Sequence, residues 1–154
     1  MFKLASLWKI KIITKYLIVL GFVIVSCNLL TIPKALAADT NDIVKVSLGN
    51  SAGELKFFPN NLKFQAGKSY KLLLDNPSPE KHYFTAKDFA DASWSRKVQA
   101  GKVEVKGAIH ELELKPGATA EWVLTPMKPG KYELHCSVKG HAAAGMTGEI
   151  IIED

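Results

Sequence analysis

The sequence has little cysteine and lacks several motifs that would indicate an enzyme. Its 154 residues include two cysteines, Cys27 and Cys136. Two thiols so far apart do not make the disulfide framework that stabilises many small secreted domains. The chain also has no glycine-rich phosphate loop and no G-x-S-x-G motif. These absences remove the usual signatures of nucleotide binding and of serine hydrolases.

The positive charge of the chain is concentrated at its N-terminus. The formal net charge is +5, from 20 Lys and Arg against 15 Asp and Glu. Residues 1–37 contain five of the basic residues and none of the acidic ones, which leaves 15 of each in residues 38–154. A near-neutral domain offers no basic stripe to neutralise phosphates. We therefore expect no nucleic-acid partner.

Residues 1–37 have the layout of a secretory signal peptide. Lysines precede an uncharged apolar run over Leu17–Leu30, Pro33 then interrupts this run, and Ala35–Ala37 offers small residues for cleavage. The expected mature domain is residues 38–154. Export would place it in the periplasm or in a thylakoid lumen.

Two other interpretations of this leader remain open. Ile24–Cys27 resembles a bacterial lipobox, so Cys27 could carry a lipid anchor. The 14-residue apolar run Leu17–Leu30 could also remain uncleaved. A bilayer core of about 30 Å needs about 20 helical residues, so this run is short for a span. We expect no membrane span in the mature protein.

Alternating apolar and polar residues predict an all-β domain after the leader. Turns rich in Gly, Pro, Asn and Asp separate the short strands, a pattern typical of a sandwich or barrel. The stretch 88–94 predicts a short helix or a packed loop. The predicted strands are 43–48, 54–58, 62–65, 69–74, 82–85, 103–106, 109–114, 119–125, 131–136 and 148–152.

Three residue types with metal affinity follow one another near the C-terminus. Cys136, His141 and Met146 are each separated by four residues, on a loop between two predicted strands. Thiolate and thioether are soft ligands and imidazole is intermediate, which suits copper better than magnesium or calcium. His82, at the start of an earlier strand, would complete a trigonal His2Cys site with a weak axial Met.

With these residues the sequence resembles the cupredoxins, a family of small blue copper proteins. The resemblance covers residues 38–154 and implies a Greek-key β-sandwich, the cupredoxin fold. The segments that carry the resemblance are the strand Gly130–His135 leading into Cys136, the pair Gly140-His141, the run Gly145–Ile150, and His82 after the loop that starts at Asn76-Pro77.

The resemblance implies an electron carrier and not an enzyme. It implies one copper per chain that cycles between Cu(I) and Cu(II), with the electron leaving through His141 beside Ala142–Ala144. The expected partners are redox proteins met transiently, such as a cytochrome or a membrane oxidoreductase, and the chain itself is expected to be a monomer. The implied metal ligands are His82, Cys136, His141 and Met146.

Other functions remain open at this point. A copper carrier or storage protein would use the same ligands without redox turnover. A copper oxidase or nitrite reductase would need another metal centre, and an adhesion module would use the fold alone. His135 adjoins Cys136 but should point to the opposite face of its strand. Its role as a ligand of a second metal stays open, and we interpret His110 as a surface residue.

One position departs from the pattern of the family. Cupredoxins commonly have a small polar residue, often Asn or Ser, directly after the first His ligand. That residue connects the two ligand loops and contacts the cysteine sulfur. Tyr83 stands at this position, and we expect that its side chain cannot make the same short bond. The reduction potential and colour therefore stay open, because hydrogen bonds near the sulfur tune both.

Overall fold

The computed structural model describes residues 41–154, so the predicted leader 1–37 and Cys27 lie outside the described residues. Within residues 41–154 no helix has the length and apolar character that a bilayer crossing requires. The elements are β1 (Asp42–Leu48), β2 (Phe57–Phe58), β3 (Asn61–Gln65), β4 (Tyr70–Asp75), β5 (His82–Thr85), α1 (Lys87–Asp91), β6 (Ser93–Ala100), β7 (Val103–Val105), β8 (Glu111–Leu114), β9 (Thr119–Pro126), β10 (Gly130–His135) and β11 (Thr147–Glu153).

These strands form two sheets. The six-stranded sheet has the order β2-β1-β4-β9-β6-β7, and the five-stranded sheet has the order β3-β11-β10-β5-β8. The pairs β1–β4 and β3–β11 are parallel, and the other strand pairs are antiparallel. The predicted all-β sandwich is therefore confirmed.

Side-chain alternation explains how the strands of both sheets share one core. In β4, Tyr70, Leu72 and Leu74 are buried, and the residues between them are only partly buried. A strand points successive side chains to opposite faces, so each strand contributes every second residue to the core. Burying a large apolar side chain contributes about 1.5–3 kcal/mol, which makes this shared core the main source of stability.

Aromatic rings anchor β5 inside this core. Trp122 on β9 is 1% exposed, and its ring makes edge contacts with Phe84 and Phe89 at centroid distances of 6.4 and 5.9 Å. Its Nε1 donates to Ser95 Oγ at 3.0 Å, so the buried indole has a polar partner. Phe84 is two residues after His82, and its packing fixes the strand on which that histidine lies.

The region after β5 differs from the sequence-based expectation. The short helix is α1, over Lys87–Asp91, and the eight-residue strand β6 follows it, where no strand was predicted. A bulge between Ser95 and Lys97 disturbs the register of β6 against β9. A bulge adds one residue and interrupts the period-2 pattern, which is why alternation does not identify this strand.

The expected strand over residues 54–58 is also shorter than predicted, because only Phe57–Phe58 forms β2. The side chain of Asn50 accepts hydrogen bonds from the amides of Ala52 and Glu54 at 3.0 and 3.1 Å. Asn side chains often bond nearby backbone groups in this way and favour turns over strands. The segment before Phe57 is therefore a loop.

Gly148→Ala should destabilise the domain. A Cβ at this position would lie 2.3 Å from the backbone oxygen of Asn60, and that oxygen accepts the Glu149 amide at 2.9 Å. Backbone cannot move aside as a flexible side chain can, so we expect a loss of about 1–3 kcal/mol in the free energy of unfolding. Denaturant unfolding measures this loss. Glu153→Ala, at an exposed position of the same strand, is the control and should change stability little.

Candidate metal centre

Two segments at one end of the sandwich carry the predicted donor side chains. His82 begins β5 and is fully buried, and Cys136 directly follows β10 and is 1% exposed. The loop from Ser137 to Met146 then joins β10 to β11 and contains His141. Strand alternation turns His82 and Cys136 inward, since Phe84 and Leu134, two residues away from each, are also buried.

Backbone hydrogen bonds close this loop on itself. The Cys136 amide donates to the Met146 carbonyl at 3.1 Å, and the Met146 amide donates to the His141 carbonyl at 3.0 Å. The His141 amide donates to Val138 O at 3.0 Å. The equally spaced residues thus lie on one compact loop. Met146 is fully buried and is bonded through its backbone to Cys136 and His141.

The donor atoms of three predicted ligands lie close together. His82 Nδ1 is 3.2 Å from His141 Nδ1 and 3.9 Å from Cys136 Sγ. Cys136 Sγ is 3.6 Å from His141 Nδ1. Among residues 41–154 this is the cluster of at least three His, Cys, Asp or Glu that could hold a metal ion, with all donor atoms within 4.8 Å.

These separations fit a trigonal metal site. Bonds of about 2.0 Å to imidazole nitrogen and about 2.3 Å to thiolate, as for zinc, would place three ligand atoms in a plane roughly 3.5–3.7 Å apart. The observed separations of 3.2, 3.6 and 3.9 Å bracket this range. Two imidazoles and one thiolate also suit a soft to intermediate metal such as copper. The residues present therefore fit the ion that the sequence predicted.

Burial favours the neutral form of His82, which is the form that binds a metal. Burial lowers the pKa of His82 below the ordinary histidine value, and the adjacent His141 lowers it further, whereas Glu80 raises it. The Nε2 atom of His82 is buried and has no hydrogen-bond partner. A protonated ring would leave a charge in this place with little compensation, so the lone pair of Nδ1 stays available.

Gly49 makes room for the back of this imidazole. It follows β1, has φ of +76°, and a Cβ there would lie 3.0 Å from His82 Nε2 and 2.9 Å from Ser78 Cβ. Glycine is required twice over, for its backbone conformation and for the close approach. The sequence indicates only a turn at this residue, because a spatial neighbour 33 positions away leaves no local signal.

The sulfur of Cys136 receives a hydrogen bond from the main chain. The Tyr83 amide donates to Cys136 Sγ at 3.3 Å. The tyrosine hydroxyl instead donates to Glu113 on β8, and Lys81 lies 5.4 Å from the ring centroid. The side chain of Tyr83 therefore makes no contact of the expected kind, but the sulfur keeps a donor, because every residue except proline has a backbone N–H.

Asn76 organises the loop before His82. It is 1% exposed, and its Nδ2 donates to the carbonyls of Glu80 and Leu114, both at 2.8 Å. Its Oδ1 accepts the Ser78 amide at 3.0 Å. These bonds hold the loop against β8 and so direct the start of β5. The sequence indicated an Asn turn here, but not the contact with Leu114, which depends on the tertiary fold.

Glu80 lies at the solvent side of the cluster. Its Oε2 is 3.7 Å from His141 Nε2, and the His141 side chain is 12% exposed whereas that of Glu80 is 67% exposed. The edge of His141 is therefore the part of the site nearest to solvent. Glu80 is thus an exposed loop charge beside a predicted ligand.

The other two histidines lie outside this cluster. His135 Nδ1 is 3.2 Å from Glu133 Oε1, two residues back on the same face of β10. This confirms that His135 faces away from the Cys136 sulfur. His110 Nε2 is 2.7 Å from Asp91 Oδ1, and both side chains are 46% exposed. His110 is thus a surface residue, as expected from the sequence.

Comparison with known proteins identifies relatives of the whole described domain. The profile of the cupredoxin-like domain family matches residues 18–152. Chloroplastic plastocyanin from Fritillaria agrestis is 31% identical over 109 residues, which cover 71% of this chain and 59% of that protein. The chain therefore spans about three fifths of the length of this curated relative.

Solved structures share the fold at low sequence identity. Dithionite-reduced auracyanin from Roseiflexus castenholzii has a TM-score of 0.54 and 17% identity, over 74% of this chain and 98% of that one. A multi-copper oxidase from Pediococcus acidilactici has a TM-score of 0.58 and 15% identity, over 79% of this chain and 28% of that one. These likenesses confirm the Greek-key sandwich as the fold class.

Gly49→Ala should disturb the site more than a glycine substitution with the same backbone strain. Gly53 has φ of +78° with nothing within 4 Å of a built Cβ, whereas Gly49 has φ of +76° and meets His82 and Ser78. Each variant should lose about 1–2 kcal/mol for the left-handed backbone, and Gly49→Ala about 1–3 kcal/mol more for the collision. Unfolding free energy and copper affinity measure the difference. Equal losses in both variants would contradict this role of Gly49.

The metal-free protein should lose stability in acid because of His82. The folded-state pKa of His82 is lowered, so the unfolded chain takes up a proton first as the pH falls. This contribution is fully present above the ordinary histidine pKa of about 6.5 and is lost as the pH falls towards the lowered value. Melting temperatures at about pH 7.5 and 5.5 should differ less in His82→Gln than in the unaltered protein. The same pH dependence in both would show that His82 is not its source.

Proposed function

Because the chain belongs to the cupredoxin-like domain family, whose members bind copper, we propose that it carries single electrons through one bound copper ion. The chain is a cupredoxin-like copper-binding protein. The proposal adds that the bound copper serves for electron transfer. The proposed ligand atoms are His82 Nδ1, Cys136 Sγ, His141 Nδ1 and Met146 Sδ.

The observation that carries the proposal is the convergence of three donor atoms from two separate segments. His82 and Cys136 are 54 positions apart, yet their donor atoms are 3.9 Å from each other. The three converging atoms, His82 Nδ1, Cys136 Sγ and His141 Nδ1, are of the types that bind a soft to intermediate metal. A metal ion bound among these three atoms would use the lone pair of each. Met146, buried in the same loop, would act as the weak axial ligand.

The protein would keep these ligands in one arrangement in both oxidation states. When bound, copper supplies a one-electron couple between Cu(I) and Cu(II). The two imidazoles, the thiolate and the thioether lie between the preferences of the two states, so neither state requires a new ligand set. The sheets and the closed loop 137–146 hold the side chains, and the Tyr83 amide donates to the sulfur. Little movement of the ligands favours fast transfer.

The electron would enter and leave through the edge of His141. This side chain is 12% exposed, and Ala143 and Ala144 beside it are exposed. Small side chains would let a partner approach closely, and weak redox encounters use small interfaces. The proposed partners are a cytochrome or a membrane oxidoreductase. We propose that the chain acts as a monomer.

Export completes the proposal. We propose that residues 1–37 are a signal peptide and that residues 38–154 are the mature domain, delivered to the periplasm or a thylakoid lumen. The uncharged run Leu17–Leu30 behind a lysine-rich start supports this. Mass spectrometry of the exported protein would distinguish cleavage after Ala37 from lipidation of Cys27.

Cys136→Ser should remove the visible absorption of the copper-loaded protein. The intense band of such a site arises from charge transfer between thiolate and Cu(II), and a hydroxyl cannot replace the thiolate. The domain should remain folded because the change is nearly isosteric. Circular dichroism checks the fold and a visible spectrum checks the band. A Cys136→Ser protein that keeps the band would contradict the ligand assignment.

Met146→Leu is the companion variant and tests the weak axial role. It should keep copper and the visible band, and its reduction potential should rise, because an apolar side chain replaces the thioether donor. Loss of copper in this variant would make Met146 a primary ligand.

Voltammetry of the unaltered protein tests electron transfer against the other candidate functions, and a reversible one-electron couple would support electron transfer. Tight Cu(I) binding without a reversible couple would favour a carrier or store. Turnover of oxygen or nitrite, with more than one copper per chain, would favour an enzyme.

A further inference from the structure

A carboxylate on the outer face of the five-stranded sheet lies behind the metal centre. Glu111 begins β8, and its side chain points outward because Leu114, three residues on, is buried in the core. Thr85 is its partner across the β5–β8 ladder. Thr85 Oγ1 donates to Glu111 Oε2 at 2.9 Å, and Ser137 Oγ donates to the same oxygen. The two hydroxyls also contact each other.

These two hydroxyls belong to the two segments that carry the proposed ligands. Ser137 directly follows Cys136, and Thr85 ends the strand that begins with His82. Ladder pairing between these segments is minimal, because β5 and β10 are matched at one position, Thr85 with His135. One matched pair controls the angle and distance between two strands poorly. A further connection is needed if the sulfur and the imidazole are to keep a fixed separation.

Inside the sandwich, the segments are connected by the Tyr83 amide, which donates to Cys136 Sγ. Outside, Tyr83 does not connect them, because its hydroxyl is directed to Glu113. Glu111 connects them there, because its Oε2 atom accepts hydrogen bonds from Thr85 on one segment and from Ser137 on the other. Hydrogen bonds from hydroxyl to carboxylate are shorter and roughly twice as strong as neutral ones.

We propose that Glu111, Thr85 and Ser137 form an outer clamp that positions Cys136 against His82. Glu111 is the central positioning residue, and it touches neither the metal nor the donor atoms. This inference deepens the proposed function and rests on it, since it takes Cys136 and His82 as ligands. The clamp holds β5 and the residue after Cys136 together from the outer face, so the contact between the Tyr83 amide and the sulfur keeps its length.

The test compares Glu111→Ala with a matched control. Glu153→Ala removes an outward glutamate of the same sheet whose carboxylate meets Lys63 at 3.7 Å, far along β11 from the loop. In the metal-free protein, hydrogen exchange of the Tyr83 amide reports the contact with the sulfur. We expect Glu111→Ala to speed this exchange roughly tenfold, and Glu153→Ala to leave it unchanged.

In the copper-loaded protein the same pair is compared by visible spectrum and by voltammetry. Glu111→Ala should shift the thiolate-to-copper band and the reduction potential, whereas Glu153→Ala should shift neither. Ser137→Ala should reproduce the effect, and Ser137→Thr, which keeps the hydroxyl, should restore most of it. The double variant Glu111→Ala/Ser137→Ala should behave like Ser137→Ala, because loss of the Ser137 hydroxyl removes both its bond to Glu111 and its contact with Thr85.

The outcomes separate the clamp from the function on which it rests. If the unaltered protein shows no visible band with copper, the proposed function fails, and exchange of the Tyr83 amide still decides whether the clamp exists. Equal exchange in Glu111→Ala and Glu153→Ala overturns the clamp. Faster exchange with an unshifted band and potential would show that the cluster joins the strands without positioning the metal centre, which also overturns the proposal.

Discussion

The candidate site depends on holding three polar donor atoms together at a largely buried place in the domain. His82 and Cys136 are buried to 1% exposure or less, and the His141 side chain is 12% exposed. Nitrogen and sulfur lone pairs at 3.2–3.9 Å attract one another only when a proton or a metal ion lies between them, and removing polar groups from water costs free energy unless a partner compensates. The sandwich must therefore provide the stability that keeps the cluster assembled, and a bound metal would return part of that cost.

The restraint on the cluster comes from three sides. The core holds β5 through Phe84 and Trp122. At the end of the sandwich, Gly49 leaves just enough space behind His82, and Asn76 joins the preceding loop to β8. On the outer face, the strand β8 reaches the two ligand segments through its carboxylates. The geometry of the donor atoms thus depends on more than the hydrophobic core. Hydrogen bonds, the absence of a side chain at Gly49 and surface carboxylates also contribute to it.

Tyr83 shows where reasoning from residue types reaches its limit. The residue type predicts no bond from its side chain to the sulfur, and the hydroxyl does bond to Glu113 instead. The contact with the sulfur is nevertheless made, by the amide that every non-proline residue carries. Strand β6 shows a related limit. Its bulge between Ser95 and Lys97 breaks the alternation of apolar and polar residues. The sequence pattern therefore does not predict this strand, although it pairs along most of its length with β9.

The sequence by itself determined the all-β class, most strand positions and the identity of the candidate donors, because side-chain period and ligand chemistry are local properties. It also determined the loop that links Cys136, His141 and Met146. Only the tertiary structure decided that His82 meets this loop, that Gly49 lies behind His82, and that Glu111 joins Thr85 to Ser137. Those contacts connect positions 26 to 59 residues apart, and local periodicity states which way a side chain points but not which distant strand it will face.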